Sequence, residues 1–219
     1  MSERKRNIKY FFTVEGDCEY WYLEHLQTLI NSNSQALCTV QIETVVTREL
    51  QKTAKSINPI TVPKTLYHLC DVEGINAEDQ TRFQAYLKDL KSVKKQKRLQ
   101  YDLGYSNFSF ELWMILHKND CNGCLNYKKD YLTLINKAYG QKFISLKSYK
   151  QKDNFHECLK KIDLFDVKEA IKRSKIIMAM RKSNGDKEVS YCTYKYYKDN
   201  PSLTIWQSIE NILKDCKVN

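Results

Sequence analysis

The chain alternates between short apolar runs and stretches with helical spacing, and this alternation predicts its elements. Four runs predict strands, at residues 8–14, 37–46, 65–70 and 99–103, and the runs 8–14 and 65–70 have the pattern of strands covered on both faces. Helical spacing predicts three helices between them, one containing Leu23 and Ile30, one over 48–57 and one over 77–95. This order predicts an α/β fold with a mainly parallel sheet flanked by helices.

The pattern changes after residue 117, where strand signals fade. Amphipathic helical spacing follows, over residues 131–138, 155–162, 167–180 and 203–213. We therefore expect an α/β core over residues 1–117 and a mainly helical, basic extension over 118–219 that packs on the core.

Acidic side chains follow two of the predicted strands directly. Glu15 ends the first run, and the tight turn at Gly16 leads into a helix. Asp71 and Glu73 end the third run, where strand alternation would send both carboxylates to one side. Carboxylates gathered at the carboxyl edge of a parallel sheet repel unless a cation lies among them, so we expect Mg²⁺ or Mn²⁺ there. This requires that the carboxylates of Glu15 and Asp71 lie within about 10 Å of each other.

The segment 105–117 carries a further buried carboxylate. Ser106 and Asn107 are expected to form a turn, and the Asn107 side chain is expected to cap the apolar helix that follows. Glu111 is the one carboxylate of this helix, and it is either a further catalytic residue near the metal, which is the favoured interpretation, or the buried partner of a basic side chain. His117 is interpreted as a histidine of the core or the surface. The alternative is a supporting role around the metal ligands.

Glu19 lies one turn into the first predicted helix. It is either a favourable charge near the helix N-terminus or a carboxylate that supports the metal ligands.

Charge is placed unevenly along the chain. The formal net charge is +10, and residues 128–182 hold 15 Lys or Arg against 6 Asp or Glu. A basic helical surface beside an acidic metal site is typical of phosphodiester chemistry, because cations hold the phosphate backbone. The residues expected to bind nucleic acid are Lys172, Arg173, Lys175, Arg181 and Lys182.

Eight cysteines are scattered through the chain, and a disulfide framework is not expected. Cys38 and Cys70 lie in apolar runs and are interpreted as small hydrophobic residues. Cys121 and Cys124 form a CxxC pair that could bind zinc together with downstream residues such as His156 and Cys158, although a polar turn is the favoured interpretation.

Nothing in the sequence predicts a membrane segment. No apolar run approaches the ~20 residues of a membrane span, and the charged start lacks the apolar region of a signal peptide. We expect a cytoplasmic protein without a membrane partner.

Four landmarks in order carry a resemblance to a known family. They are Glu15-Gly16 with Glu19 and WYLEHL at 21–26, DVEG at 71–74, SNFSFELWMILH at 106–117, and NPSLTIWQSIENIL at 200–213. Together they resemble the RloB-like proteins, a branch of the Toprim superfamily. The resemblance implies a Toprim-like α/β fold, an acidic cluster that binds a divalent metal, and a role in bacterial anti-phage defence or abortive infection, often beside an ATPase partner.

The resemblance also implies roles for single residues. Glu15 matches the lone strand-end glutamate, and Asp71 with Glu73 matches the acidic pair. The chain departs from the family pattern at Glu73, where the superfamily usually has Asp, and at Phe108, where the family often has Pro. The longer Glu73 side chain matters more, since Mg²⁺ tolerates little geometric error.

Two classes of function fit these observations. In the first, the protein is a Mg²⁺-dependent nuclease that cleaves RNA or DNA, with Glu15 as a base or metal ligand and Asp71 and Glu73 as metal ligands. In the second, the same fold is a non-catalytic subunit that binds nucleic acid or a partner ATPase.

Overall fold

The computed structural model describes residues 5–56, 65–97 and 100–218. Its centre is a five-stranded sheet in the order β2-β1-β3-β4-β7, and β5 and β6 form a separate hairpin. The strands are β1 (Arg6–Val14), β2 (Cys38–Val46), β3 (Thr65–Asp71), β4 (Gln100–Asn107), β5 (Glu188–Tyr191), β6 (Tyr194–Tyr197) and β7 (Ser202–Leu203). The first four strands are parallel, and β7 pairs antiparallel with β4. The predicted α/β fold with a mainly parallel sheet is confirmed.

Helices lie between the strands and fill most of the C-terminal part. They are α1 (Asp17–Ser32), α2 (Leu50–Ser56), α3 (Ala77–Lys97), α4 (Glu111–Leu116), α5 (Tyr131–Tyr139), α6 (Leu146–Tyr149), α7 (Lys152–Leu159), α8 (Leu164–Ser183) and α9 (Ile205–Asp215), with a short 3₁₀ helix at Lys128–Asp130. Among the described residues, no helix is long and apolar enough to cross a membrane.

The two faces of the sheet bury different sets of helices. Phe12 points into a core shared with α1, α4 and the helices α5–α9, whereas its neighbour Phe11 points into a second core under α2, α3 and the β5–β6 hairpin. Strand alternation explains this division, because successive side chains leave opposite faces. The segments on either side of residue 117 therefore share one core.

Helix α8 begins three residues earlier than the apolar spacing predicts, because a capping box precedes it. The Asp163 side chain accepts a 2.9 Å hydrogen bond from Asp166 N–H, and the Asp166 side chain accepts one of 3.0 Å from Asp163 N–H. These bonds satisfy backbone donors that an α-helix leaves unpaired at its start.

Two sequence expectations are corrected at this level. Ser106 and Asn107 are not a turn but the end of β4, because β7 from the far end of the chain pairs with both. Cys38 and Cys216 form a disulfide between the start of β2 and the end of α9, so the interpretation of Cys38 as a small hydrophobic residue outside any disulfide is wrong. The backbone brings these ends together, since Leu37 N–H donates to Cys216 O at 3.0 Å.

Candidate active site

Two carboxylates lie at the ends of neighbouring parallel strands. Glu15 follows β1 directly, and Asp71 is the last residue of β3. Because β1 and β3 are parallel, both ends face one edge of the sheet, and Asp71 N–H donates a 3.0 Å hydrogen bond to Glu15 Oε2. The structure thus brings this predicted pair together, in the crevice where open parallel sheets bind ligands.

Glu73 stands near Asp71 on a turned backbone. Its φ of 71° is left-handed, a conformation that costs roughly 1–3 kcal/mol for a residue other than glycine. The N–H groups of Val72 and Glu73 donate to Ser106 O and Phe108 O, both at 2.9 Å. These bonds hold the turn, so the position of Glu73 does not come from strand alternation as expected.

Lys128 is the cation closest to this acidic pair. Its Nζ lies 2.6 Å from Glu73 Oε2 and 3.7 Å from Asp71 Oδ2. Burial works against the charged form of this lysine, but Asp71 and Glu73 outweigh it and raise its pKa. Lys128 therefore stays an ammonium group at the edge of the site.

Glu111 is almost fully buried behind the site and has two partners. Lys150 Nζ lies 2.8 Å from its Oε1, and Ser109 Oγ donates a 2.5 Å hydrogen bond to its Oε2. Burial opposes ionisation of Glu111, but Lys150 and Ser109 outweigh it and lower its pKa. Of the two interpretations from the sequence, the contacts fit the buried partner of a basic side chain.

Glu15 and Asp71 have raised pKa values, and burial is the main cause for both. Glu19 is the next cause for Asp71, ahead of the opposing effect of Lys128. For Glu15, the hydrogen bond from Asp71 N–H opposes burial, while the nearby charge of Glu73 adds to it. Neighbouring carboxylates thus add to the effect of burial at both residues.

Glu19 is the third carboxylate of this buried group. Burial raises its pKa to about 7, and Lys150 opposes this shift while Glu111 and Glu15 add to it. Gly16 leaves room for the group, because a Cβ at Gly16 would lie 3.2 Å from Glu19 Oε2. Glu19 thus faces the carboxylates as well as lying near the start of α1, which fits the supporting role in the sequence analysis.

A pocket of about 680 Å³ opens over these carboxylates. Besides the acidic residues, its wall carries four basic side chains, Arg48, Arg82, Lys128 and Lys150. Tyr86 also lines it and donates a hydrogen bond to Glu15. Positive groups around a floor of buried carboxylates suit an anionic ligand that arrives with a cation.

The chain also matches a known protein family. The family model described as RloB-like protein matches residues 10–212, nearly the whole chain. The chain belongs to the RloB-like family. A search of curated proteins and a search of solved structures found no match.

The sequence analysis of this RloB-like chain missed the basic half of the site. Lys128 and Lys150 were counted within the basic segment 128–182, yet both turn inward to the carboxylates. Arg48 lies two residues before α2, and Tyr86 lies within α3. No sequence signal joined them to the site, because each contact spans a long separation along the chain.

Asn107 and His117 do not reach the carboxylates of the RloB-like site. The Asn107 side chain donates to Lys198 O at 2.6 Å and Tyr197 O at 3.3 Å, and it caps no helix. This expectation is wrong because β4 continues through Asn107. His117 bonds Tyr22 and the carbonyl of Trp113, and burial lowers its pKa to about 3, so it is the neutral core histidine that was the favoured interpretation.

Two of the five residues expected to bind nucleic acid have structural contacts. Arg173 donates to Leu116 O at 2.7 Å and lies 3.1 Å from Asp120. Arg181 donates to Pro201 O at 3.0 Å and to Asp186 at 2.8 Å. These guanidinium groups tie the end of α4 and the chain before β7 to α8, and their binding of nucleic acid stays a prediction.

Three exposed lysines of the same segment were also expected to bind nucleic acid. Lys172 and Lys175 lie on the outer side of α8, and Lys182 is exposed near its end. Their binding of nucleic acid stays a prediction.

The donor set of the site fits a hard divalent cation by its chemistry. Glu15, Glu19 and Asp71 are oxygen donors whose pKa values are raised mainly by burial, with neighbouring carboxylates adding to the shift. Within residues 5–56, 65–97 and 100–218, however, no three His, Cys, Asp or Glu side chains stand at metal-ligand spacing, which also leaves the zinc hypothesis at Cys121 and Cys124 without support. Here Lys128 holds the position of a cation beside Asp71 and Glu73.

Proposed function

We propose that this protein is a metal-dependent nuclease that uses Mg²⁺ or Mn²⁺ to cleave phosphodiester bonds in RNA or DNA. The observation that carries the proposal is the crowding of Glu15, Glu19 and Asp71, all with raised pKa values, at the carboxyl edge of a parallel sheet. Such buried charge is costly for the fold, and it is typical of sites that handle charged ligands.

Glu15, Asp71 and Glu73 are the residues that would hold the metal. The bound ion would activate water and stabilise negative charge on the phosphate. Glu73 must leave Lys128 to act in this way, since the two are 2.6 Å apart. Tyr86 supports Glu15 through its hydrogen bond.

The basic residues of the pocket have a separate task in this proposal. Arg48 and Arg82 line the opening and would hold the phosphates that flank the cleaved bond, because guanidinium groups bind phosphate in a two-pronged geometry. Lys150 keeps Glu111 ionised behind the site, and this ion pair holds both side chains in place beneath the metal-binding carboxylates.

Membership of the RloB-like family supports a finer proposal about biological role. We infer that the cleavage is toxic and serves bacterial defence against phage, with an ATPase partner that restrains or triggers it. A Toprim-like origin of the sheet belongs to the same proposal.

One observation favours a second candidate, a non-catalytic subunit that binds nucleic acid or a partner. Lys128 and Lys150 already neutralise Glu73 and Glu111, and the described residues hold no preformed metal cluster. Two of the site's carboxylates thus have lysine partners without a metal, as they would on a binding surface.

Cleavage of labelled RNA and DNA with Mg²⁺, Mn²⁺ or a chelator distinguishes the two candidates. Glu15→Gln and Asp71→Asn should abolish metal-dependent cleavage, because each removes a charge and keeps the shape. Matched controls are Glu157→Gln and Asp153→Asn, two exposed positions on α7 that should leave cleavage unchanged.

The assay should include the partner protein when one is found. If the wild type cleaves neither RNA nor DNA with any divalent metal, with or without the partner, the binding subunit remains as the function. Full activity in both site variants would exclude the proposed site.

A further inference from the structure

Helix α8 carries two apolar faces, of which the fold buries one. The buried residues are Val167, Ala170, Ile171, Ser174 and Ile177. Three large side chains on the other side are exposed, Phe165 by 69%, Ile176 by 45% and Met180 by 41%. At about 100° per residue these three fall within roughly 60° of one another around the helix. They form one stripe, whereas a helix on a protein surface usually presents polar residues on its outer side.

A groove lies along this helix, between α8 and α9, and of the three exposed apolar side chains Ile176 is the one that lines it. Its volume is about 580 Å³, and we call it the α8–α9 groove. The apolar part of its lining comes from Ile171, Ile176, Leu213 and Val218. An apolar groove of this size is typical of ligand and partner sites.

Lysines surround this apolar floor. The lining holds Lys168, Lys172, Lys175 and Lys214 against a single acidic residue, Glu210. Glu210 already bonds two of them, Lys175 at 2.5 Å and Lys214 at 3.0 Å, and Lys172 pairs with Glu169 of the same helix at 3.5 Å. The groove therefore presents apolar surface at its centre and an excess of ammonium groups at its edge.

We propose that the α8–α9 groove docks an amphipathic helix of a partner protein that carries acidic residues on both sides of its apolar face. Helices bind grooves through apolar residues at i, i+3, i+4 and i+7, and charge complementarity sets specificity at the rim. Phosphates would use the lysines but not the apolar floor, so the groove suits a protein better than nucleic acid. This docking surface is independent of the proposed cleavage.

Model helices of about 18 residues, or five turns, provide the probe. Three labelled peptides share one Leu and Ile face and carry Glu, Gln or Lys on the flanks. Fluorescence anisotropy with the full-length protein should show the Glu peptide binding at least about tenfold more tightly than the Lys peptide. The same assay with single-stranded RNA and DNA of equal charge tests the nucleic-acid alternative.

Variants locate the binding. Ile176→Asp should weaken the Glu peptide about tenfold or more, while Ile144→Asp at a position that is 89% exposed and outside the groove should not. Lys172→Glu should weaken it as well. Its control is Lys160→Glu, since Lys172 and Lys160 are both exposed and both pair with a glutamate three residues earlier. Thermal melting of each variant checks that it is folded.

The outcomes separate the possible occupants. Tight binding of the Glu peptide that is lost in both groove variants and kept in both controls supports the proposal. It is overturned by equal binding of the three peptides, by no binding, or by equal losses in the control variants. If RNA or DNA binds the wild type and binds the groove variants more weakly, the groove is a nucleic-acid site. If the protein is a dimer and Ile176→Asp dissociates it, the groove is a dimer interface.

Discussion

At the scale of a single residue, Glu19 is a buried carboxyl whose ionisation is unfavourable in the folded chain. Its pKa is about 7 in the folded chain against 4.5 for an ordinary glutamate, and burial is the main cause. Because folding raises the pKa of this carboxyl, the folded state binds its proton more tightly than the unfolded state does. The resulting contribution to stability is fully present below the unfolded pKa. That contribution is lost as pH rises through the folded pKa.

Glu19→Gln should remove this dependence on pH. In the metal-free protein, we expect the free energy of unfolding of the variant to exceed that of the wild type by about 3 kcal/mol near pH 8, because a shift of one unit is worth about 1.4 kcal/mol. Near pH 4.5 the two proteins should differ little. Urea unfolding at several pH values measures this, and a constant difference across the range would contradict the burial of an ionised Glu19.

At the scale of elements, Gly104 allows α9 to approach the sheet. A Cβ at this position of β4 would lie 2.6 Å from a Leu69 methyl group and 3.3 Å from Ile205 Cα. Leu69 and Ile205 are both buried, so neither has room to move away.

Gly104→Ala should therefore destabilise the fold by about 1–3 kcal/mol. The control is Gly123→Ala, where an added Cβ meets no atom within 4 Å, and where we expect a change within about 0.5 kcal/mol. Thermal or denaturant unfolding compares the two. Equal stability of both variants would mean that α9 does not pack on β4 as closely as described.

The elements also show what the sequence could predict. Apolar runs located β1 to β4, and the signal is strongest for β1 and β3, because a strand buried on both faces carries its signal locally. The end of β4 was misassigned, since its last two residues pair with β7, almost a hundred positions away. The start of α8 was missed by three residues because Asp163 and Asp166 begin the helix through hydrogen bonds that apolar spacing does not detect.

At the scale of the whole molecule, the acidic and basic halves of the site come from different segments. The sequence predicted that Glu15 and Asp71 would meet, because the ends of adjacent parallel strands share an edge. It could not predict that Lys128 and Lys150 would turn inward from a basic segment. In the sequence these lysines resemble surface residues, but in the folded chain they pair with Glu73 and Glu111.

Calorimetric titration of the metal-free protein with Mn²⁺ and Mg²⁺ tests the central claim, that the carboxylates beside β1 and β3 hold a divalent cation. Binding should be saturable at about pH 8, should raise the melting temperature, and should weaken at least about tenfold in Asp71→Asn, because a lost carboxylate ligand removes both charge and coordination. No saturable binding to the wild type, or equal binding to Asp71→Asn, would contradict the account.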